Sequence, residues 1–352
     1  MKKILRLLLL LVNLLAIAAL LLSTLSGVIP PSRSSLVTVF SYGYFVLLLI
    51  NVLFILVWLL LSRWEFLLSL AAILVRCSFI PLFFQVGGNT DAGLSDSTLR
   101  IMTFNAHGFK GLDSDTLMTA DSGFALFLQI LDEEQPDIVN FQEFWANSSL
   151  IDSMSSRGYR HRYGIHGDNT SSATILYSRC PITYGHMIDS ASKYYADIEK
   201  NGHQVRICGV HLDSYQLGDE DRQGLKNLSH AQPDSTTHRL IGKLTETSRT
   251  HQHEWDEQLK PLVEASTIPF VLMGDFNDTP ASYIYQHATR LLMDPYVEQG
   301  RGFCTTYHGP YPAFRIDYIL HSPDLKALSY KRIKSNISDH YPVVVTLGFS
   351  EL

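Results

Sequence analysis

Cysteine is scarce in this chain, which has four in 352 residues: Cys77, Cys180, Cys208 and Cys304. They are scattered and none has CxxC spacing, so the sequence excludes a disulfide framework, and we expect small buried side chains. Also missing are a glycine-rich phosphate-binding loop, a P-loop, internal repeats and low-complexity tracts. These absences exclude the nucleotide-binding motifs built on such a loop and the repeat architectures.

Charge is nearly absent from the first 89 residues, which hold six basic side chains and the single acid Glu65. The remaining residues contain 22 basic and 33 acidic side chains, a net charge of −11. A domain with this charge repels polyanions at long range, so contact with nucleic acid would need a local basic groove or bound cations. The composition therefore predicts an apolar N-terminal region followed by an acidic globular domain.

Long apolar runs fill the N-terminal region. About 20 residues of apolar helix cross a bilayer, so residues 1–89 are predicted to form an anchor of about three transmembrane helices, followed by a polar linker at 90–97. The first run follows Lys2 and Lys3, as in a signal peptide, but it is longer than the usual apolar core and no A-x-A site follows. An uncleaved span is therefore favoured. The runs are Leu5 to Leu25, Leu36 to Leu61 and Phe66 to Phe84.

Arg76 lies near the middle of the third run. An arginine at a helix centre costs about 2.5–3.5 kcal/mol on insertion, whereas each Leu, Ile, Phe or Val contributes about 0.3–0.6 kcal/mol in return. The twelve such residues of this run outweigh one arginine, which favours a third crossing. Because the basic N-terminus indicates the cytoplasmic side, three crossings place the large domain outside the cytoplasm. If the third run only lies on the membrane, the domain is cytoplasmic.

Residues 98–352 are predicted to form one globular domain in which strand-like and helical runs alternate. Asn201-Gly202 between two strand-like runs is a strong hairpin signal, and the polar, aperiodic residues 217–237 are typical of a surface loop. Many strands with few helices predict an α/β fold of two packed sheets covered by helices. Strands are expected at 99–104, 138–141, 173–178, 205–212, 268–273, 316–320 and 343–347, and helices at 124–131 and 238–265.

Six short apolar runs in this domain each end in one or two polar side chains. A single aspartate at a strand end is usually a turn or helix cap, but six such places in one domain are hard to assign to capping alone. The residues are Asn105, Glu143, His211, Asp213, Asp275, Asn277, Asp317, Asp339 and His340.

Phosphate-ester hydrolysis is the chemistry that this set of side chains suits. Its transition state gathers negative charge on the nonbridging oxygens, and it needs a cation, hydrogen-bond donors and a base for the attacking water. Carboxylate and amide oxygens bind hard cations, which favours Mg²⁺ or Mn²⁺ and makes Glu143 and Asn105 the natural metal-side ligands. A histidine held by a carboxylate acts either as a base or as a cationic phosphate clamp.

The motifs around these residues resemble, in order, those of the endonuclease/exonuclease/phosphatase (DNase-I-like) superfamily. The resemblance covers about residues 97–350, and the GDFN and SDH motifs are the most diagnostic. It implies a four-layer α/β sandwich of two packed β-sheets flanked by helices, with the site between the upper edges of the sheets. The motifs are Thr103-Phe104-Asn105, Phe141-Gln142-Glu143, Gly209-Val210-His211-Leu212, Gly274-Asp275-Phe276-Asn277, Arg315-Ile316-Asp317-Tyr318 and Ser338-Asp339-His340-Tyr341-Pro342.

The resemblance implies a metal side of the site. Glu143 is implied as the principal ligand of Mg²⁺ or Mn²⁺ and Asn105 as its partner. Asp339 is implied to bind the cation directly or through water. Asp213 either belongs to the His-Leu-x-Ser form found in the phosphodiesterase branches of the superfamily or caps a turn.

The same resemblance implies the catalytic residues. Asp275 is implied to orient or deprotonate the attacking water, and Asn277 to donate a hydrogen bond to the transition state. Asp317 is implied to hold the imidazole of His340, which contacts the scissile phosphate. His211 is implied to donate to a nonbridging oxygen.

Two alternatives compete with a membrane-anchored, metal-dependent phosphoesterase. A catalytically inactive binding or sensor module displayed on the membrane would predict erosion of the polar set, all of which is present. A zinc enzyme using His211 and His340 would need further His and Asp clustering that the sequence lacks.

Superfamily members include nucleases, sphingomyelinases, inositol-polyphosphate phosphatases and deadenylases, so the substrate stays open. The acidic domain favours a small or lipid-borne ester, and no protein partner is predicted.

Overall fold

The computed structural model describes residues 2–111, 120–144, 148–164, 173–190, 192–216, 218, 221, 235–309 and 314–349. The helices in these ranges are α1 (Lys2–Ser23), α2 (Ser35–Tyr42), α3 (Tyr44–Leu60), α4 (Phe66–Val75), α5 (Ala120–Glu134), α6 (Ser148–Ser156), α7 (Ser235–His253), α8 (Lys260–Ala265), α9 (Tyr283–Ala288) and α10 (Pro295–Gln299). Two 3₁₀ turns (Cys77–Leu82 and His107–Phe109) and a π-helical turn (Glu254–Leu259) are also present. The strands are β1 (Phe84–Gln85), β2 (Thr98–Asn105), β3 (Ile138–Gln142), β4 (His161–Gly164), β5 (Thr174–Ser178), β6 (Ile182–Met187), β7 (Lys193–Lys200), β8 (His203–His211), β9 (Phe270–Asp275), β10 (Gly302–Phe303), β11 (Asp317–His321), β12 (Leu325–Arg332) and β13 (Val343–Phe349).

The strands predicted from the sequence are confirmed, each within two residues of its expected ends. Asn201 and Gly202, at φ 52° and 83°, form the predicted turn between β7 and β8. The helix predicted at 238–265 is confirmed as a continuous helical run over 235–265, in which Glu254–Leu259 form a π turn between α7 and α8. Pro261 lacks the N–H that a regular helix would donate to the carbonyl of Glu257. Most of the predicted loop at 217–237 lies outside the described residues.

The residues group into two units. The first, called here the N-terminal unit, consists of Met1–Phe83, Tyr215–Trp255 and Thr279–His287. The second, called the sheet unit, consists of Phe84–Ser214, Asp256–Asp278 and Ala288–Leu352.

The sheet unit contains the two packed sheets that the sequence predicted. One has the strand order β12-β13-β2-β3-β5-β4 and the other β11-β9-β8-β7-β6. Residues of β2 alternate between two cores, as the period of a strand requires. Leu99 and Ile101 pack with residues of the other sheet, such as Ile207. Phe104 packs on the opposite face against Phe127 of α5. The α/β architecture with flanking helices is therefore confirmed.

Helices α1, α3 and α4 of the N-terminal unit contact one another through buried polar side chains. Trp58 Nε1 donates to Asn13 Oδ1 over 2.8 Å, and Asn13 Nδ2 donates to Ser69 Oγ over 2.7 Å. Ser69 Oγ–H donates to Asn51 Oδ1 over 3.1 Å. These four side chains are buried, whereas large apolar side chains along the same helices are exposed. Examples of the exposed set are Leu5, Leu8, Leu11, Leu15, Leu49, Leu53, Leu56 and Leu67.

One helix in the described part of the chain is long and apolar enough to cross a membrane, Lys3–Ser23. Helices α2 and α3 pass the same test only as a pair, bent by 70°. Helix α4 has 10 residues, a length of about 15 Å, and its α-helical part ends at Val75, before Arg76. The sequence predicted about three spans; the structure supports one candidate span, and the second and third are not confirmed.

Candidate active site

The strand ends that carry the polar motifs lie at one edge of each sheet. Strands β2 and β3 are parallel, so Asn105 at the end of β2 lies beside the chain that enters Glu143. Strands β8 and β9 are also parallel, and His211 lies opposite Asp275. Strand β11 is antiparallel to β9 and starts at this edge, which places Asp317 opposite Asp275. The topology thus gathers residues that are far apart in the sequence.

Asn105 joins the two sheet edges through its side chain. Its Nδ2 donates to Oε1 of Glu143 over 3.2 Å and to Oδ2 of Asp275 over 3.0 Å. Its Oδ1 accepts from the backbone N–H of His107 over 3.1 Å. The Ser338 hydroxyl donates to its backbone carbonyl over 2.8 Å. The amide therefore holds one carboxylate of each sheet at a fixed spacing.

Glu143 follows β3 directly, at a φ of 50°. Burial opposes its ionisation, but a hydrogen bond with His107 and the charge of His211 lower the pKa of Glu143 to about 2, helped by the hydrogen bond from Asn105. Its side chain remains 20% exposed. Glu143 is therefore an ionised carboxylate that solvent reaches.

Asp275 has the opposite electrostatic character. Burial, and then the charge of Asp317, raise the pKa of Asp275 to about 6. Its Oδ1 accepts from the backbone N–H of Asn277 over 2.7 Å, and Asn277 Nδ2 donates to the carbonyl of Leu212 over 2.9 Å. Asp275 is thus a carboxylate that changes charge near neutral pH, in a turn that Asn277 ties to the end of β8.

Asp317 and His340 form a buried pair. His340 Nδ1 donates to Asp317 Oδ2 over 2.9 Å, and His340 Nε2 lies 3.7 Å from Asp275 Oδ2. Burial lowers the pKa of His340, but the charges of Asp317 and Asp275 outweigh it and raise the pKa to about 10. The imidazole is therefore protonated at neutral pH. Asp317 Oδ1 has no hydrogen-bond partner among the described residues.

His211 lies between the two carboxylates that Asn105 joins. Its Nε2 is 3.7 Å from Glu143 Oε1 and 3.8 Å from Asp275 Oδ2. Its buried Nδ1 has no hydrogen-bond partner in the described part of the chain. The Nε2 atom of this imidazole is therefore close to both carboxylates, at nearly equal distances.

Two predicted residues lie at the margin of this group. Asp339 is half-buried, and its Oδ1 lies 3.3 Å from Oγ of Ser338. Its charge acts on His340, its neighbour in the chain. Asp213 is exposed, beyond the end of β8. The structure thus brings seven of the nine predicted residues into one contact network, places Asp339 beside it, and leaves Asp213 at the surface.

His107 belongs to the site but was not predicted from the sequence. Its Nδ1 lies 3.2 Å from Glu143 Oε2, and its side chain is 46% exposed. The hydrogen bond with Glu143 raises the pKa of His107, against the effect of burial, and the charge of Asp339 acts in the same direction. The sequence feature that could have indicated His107 is its position two residues after Asn105, in the loop that follows β2.

The donor set fits a hard divalent cation. Asp275, Asp317 and His340 offer one ligand atom each, within 4.8 Å of one another. These three residues are buried, and the His340–Asp317 hydrogen bond already uses two of their atoms. Mg²⁺ keeps several of its waters, so the solvent-reached carboxylate of Glu143 suits it better. The side-chain oxygen of Asn105 would be a second ligand beside Glu143 if the amide group rotated away from the backbone N–H of His107.

Two family profiles match the sequence. Residues 102–340 match the Endonuclease/Exonuclease/phosphatase family, and residues 3–83 match a family described as a domain of unknown function (DUF8431). A comparison with curated proteins found no significant match.

Solved structures are similar to this chain at low sequence identity. ANGEL2, a 2',3'-cyclic phosphatase, is 12% identical with a TM-score of 0.50, over 71% of this chain and 95% of that chain. The human Nocturnin catalytic domain is 18% identical with a TM-score of 0.49, over 74% and 96%. The endonuclease/exonuclease/phosphatase from Beutenbergia cavernae is 18% identical with a TM-score of 0.48, over 72% of each chain. At 12% identity, the ANGEL2 likeness shows a common fold and not a common reaction.

Proposed function

Because the chain belongs to the endonuclease/exonuclease/phosphatase family over residues 102–340, we propose that it is a divalent-metal-dependent phosphoesterase held at a membrane. It hydrolyses a phosphodiester or phosphomonoester by in-line attack of water. The observation that carries the proposal is the network that runs from Glu143 through Asn105 and Asp275 to His340 and Asp317. It combines an ionised carboxylate, a carboxylate that titrates near neutrality and a protonated imidazole in one place.

The catalytic assignments follow from these protonation states. Asp275 accepts the proton of the attacking water, because a base that titrates near the working pH is the most effective. His340 is cationic at neutral pH and clamps the scissile phosphate, while Asp317 fixes its orientation. His211 and Asn277 donate hydrogen bonds to the oxygens on which charge develops, as donors in such sites do.

Glu143, Asn105 and Asp339 are the residues that would hold the cation. When bound, Mg²⁺ or Mn²⁺ neutralises charge on the phosphate and orients it. Glu143 is ionised without the cation, so binding does not require it to lose a proton. Before the cation binds, Asn105 Nδ2 bonds both Glu143 and the base Asp275, which ties the metal side to the catalytic side of the site.

The substrate class follows from charge only in part. The net charge of −11 after residue 89 opposes the approach of long polyanions, which favours a small or lipid-borne ester. The test is a substrate panel with the full chain in detergent and Mg²⁺: a phospholipid, a short single-stranded oligonucleotide, a nucleotide and a sugar phosphate. His340→Ala serves as the matched control. Hydrolysis of one class that His340→Ala loses is expected, and a folded wild-type protein inactive on every class would contradict the proposal.

The N-terminal unit supports a membrane anchor through the distribution of its side chains. Its helices bury Asn13, Asn51 and Ser69 and expose their leucines, the reverse of a water-soluble bundle. Small and polar residues between helices, with apolar residues outside, are typical of helices in lipid. Helix α1 supplies a candidate span.

Contacts within this unit support a third crossing. Arg6 near the start of α1 pairs with Glu65 just before α4 over 2.8 Å. Asn13 donates a hydrogen bond to Ser69. Asn13 lies later in α1 than Arg6, and Ser69 lies in α4, after Glu65. Helices α1 and α4 therefore run in the same direction, which is the direction that a third span requires.

The side of the membrane is supported by a second set of contacts inside the N-terminal unit. Residues in the connection between α1 and α3 form hydrogen bonds with the two later segments of this unit, Tyr215–Trp255 and Thr279–His287. Ser32 N donates to Gln252 Oε1 over 3.0 Å, and the Ser26 hydroxyl donates to the carbonyl of Ala281. This connection follows the end of α1 opposite the basic N-terminus. With that N-terminus in the cytoplasm, these segments are extracytoplasmic, and we propose that the catalytic domain is too.

A further inference from the structure

His107 has no role in the proposed mechanism, yet the chain adopts an unfavourable backbone to place it. His107, Gly108 and Phe109 have φ values of 43°, 61° and 57°. Three consecutive left-handed residues are rare, and for the two that are not glycine the conformation costs free energy. Such strain persists only where the surrounding structure holds it.

Both sides of this turn are held. Phe109 is buried, with its ring 5.4 Å from that of Phe124 and 5.7 Å from that of Phe144. Gly123 of α5 lies directly beneath, since a Cβ there would be 2.4 Å from the Phe109 carbonyl oxygen. Gly108 N donates to the carbonyl of Glu143 over 2.9 Å. The turn is thus fixed to α5 on one side and to the residue after β3 on the other.

The consequence of the turn is the position of one imidazole. His107 Nδ1 lies 3.2 Å from Glu143 Oε2, and Asp339 is near enough for its charge to act on His107. An exposed ion pair contributes little to stability, so the pair alone does not account for a strained and pinned turn. The imidazole lies beside the acidic residues proposed to hold the cation.

The spacing of the two atoms is that of a hydrogen bond, and it also allows them to share a cation. Neighbouring ligands of an octahedral ion with bonds of about 2.1 Å lie about 3.0 Å apart, close to the 3.2 Å between His107 Nδ1 and Glu143 Oε2. Imidazole nitrogen is a ligand for transition metals, whereas Mg²⁺ prefers oxygen.

We propose that His107 is a nitrogen ligand of the cation held by Glu143, which makes the site prefer Mn²⁺ to Mg²⁺. This inference rests on the proposed metal dependence. It assigns a residue outside the predicted set and names the ion that the site selects.

The test uses His107→Asn in the full chain in detergent, because asparagine tolerates a positive φ and keeps an oxygen ligand. His186→Asn, at an exposed position on β6, is the control. Pulsed electron paramagnetic resonance of bound Mn²⁺ should show a nitrogen-14 coupling in the wild type and in His186→Asn, and lose it in His107→Asn. The Mn²⁺ dissociation constant should rise about 10- to 100-fold in His107→Asn, with a smaller rise for Mg²⁺.

Three outcomes distinguish the assignment of His107 as a ligand from the metal dependence of the site. Loss of the coupling together with a lower Mn²⁺ preference supports the inference. A coupling that persists in His107→Asn, or an unchanged ratio of the two dissociation constants, overturns it while leaving the metal site intact. A folded wild-type chain that binds neither ion overturns the metal dependence itself, and the inference with it.

Discussion

Asp317 accepts a hydrogen bond from His340 over 2.9 Å, and both residues are buried. Because the acid faces one nitrogen of the ring, the other, Nε2, is turned toward Asp275, 3.7 Å away. The pair therefore sets both the charge and the direction of the imidazole. This is the relationship on which the assignment of His340 as a phosphate clamp depends.

Asp317→Asn and His340→Ala should each lower kcat by about 10²- to 10⁴-fold, the usual worth of a positioned acid–base or clamping group. Since the two residues act as one unit, the double variant should lose little more than the worse single variant. The measurement is kcat per folded molecule, together with the thermal midpoint of each variant. Additive losses, or near-normal kcat with lowered midpoints, would show that the pair is only structural.

The stability of the metal-free protein should fall between about pH 6.5 and 10 because of His340. Its pKa rises from an ordinary 6.5 to about 10 on folding, so the folded state keeps a proton that the unfolded state releases in this window. The stabilisation is complete below pH 6.5 and is lost as the pH rises through 10. The thermal midpoint of wild type should thus fall more steeply than that of His340→Gln; parallel curves would refute this linkage.

A reporter fused after Leu352 should be active only if exported, because three crossings with a cytoplasmic N-terminus place the domain outside. A C-terminal tag should be cleaved by protease added to intact spheroplasts of a bacterial host. A tag on the N-terminus serves as the protected control. Cleavage of the C-terminal tag only after lysis would indicate two crossings, with the third apolar segment outside the bilayer core.

The sequence predicted which polar residues lie together at the strand ends better than it predicted their environment. Asn105, Glu143, His211 and Asp275 were identified because polar residues after buried strands are easy to recognise, and parallel pairing brings such ends together. His107 was missed because its position depends on three left-handed residues and on packing of Phe109, which no local pattern shows.

The helical part of the sequence was harder to interpret. The third apolar run has enough hydrophobic residues for a span, but its α-helix ends at Val75. The π turn Glu254–Leu259 lies just before Pro261, which lacks one backbone donor. Apolar periodicity thus indicates where helices form, whereas the point at which a helix ends depends on backbone hydrogen bonds.

The most direct test of metal dependence is hydrolysis of bis(p-nitrophenyl) phosphate by the full chain before and after EDTA, with Mg²⁺ or Mn²⁺ then restored. A metal-dependent site predicts that EDTA abolishes activity and that either ion restores it. Glu143→Gln, which removes the principal ligand, should need a higher metal concentration for the activity that it recovers. Full activity of the wild type in EDTA, or restoration of Glu143→Gln at the same metal concentration as wild type, would contradict a metal-dependent site at Glu143.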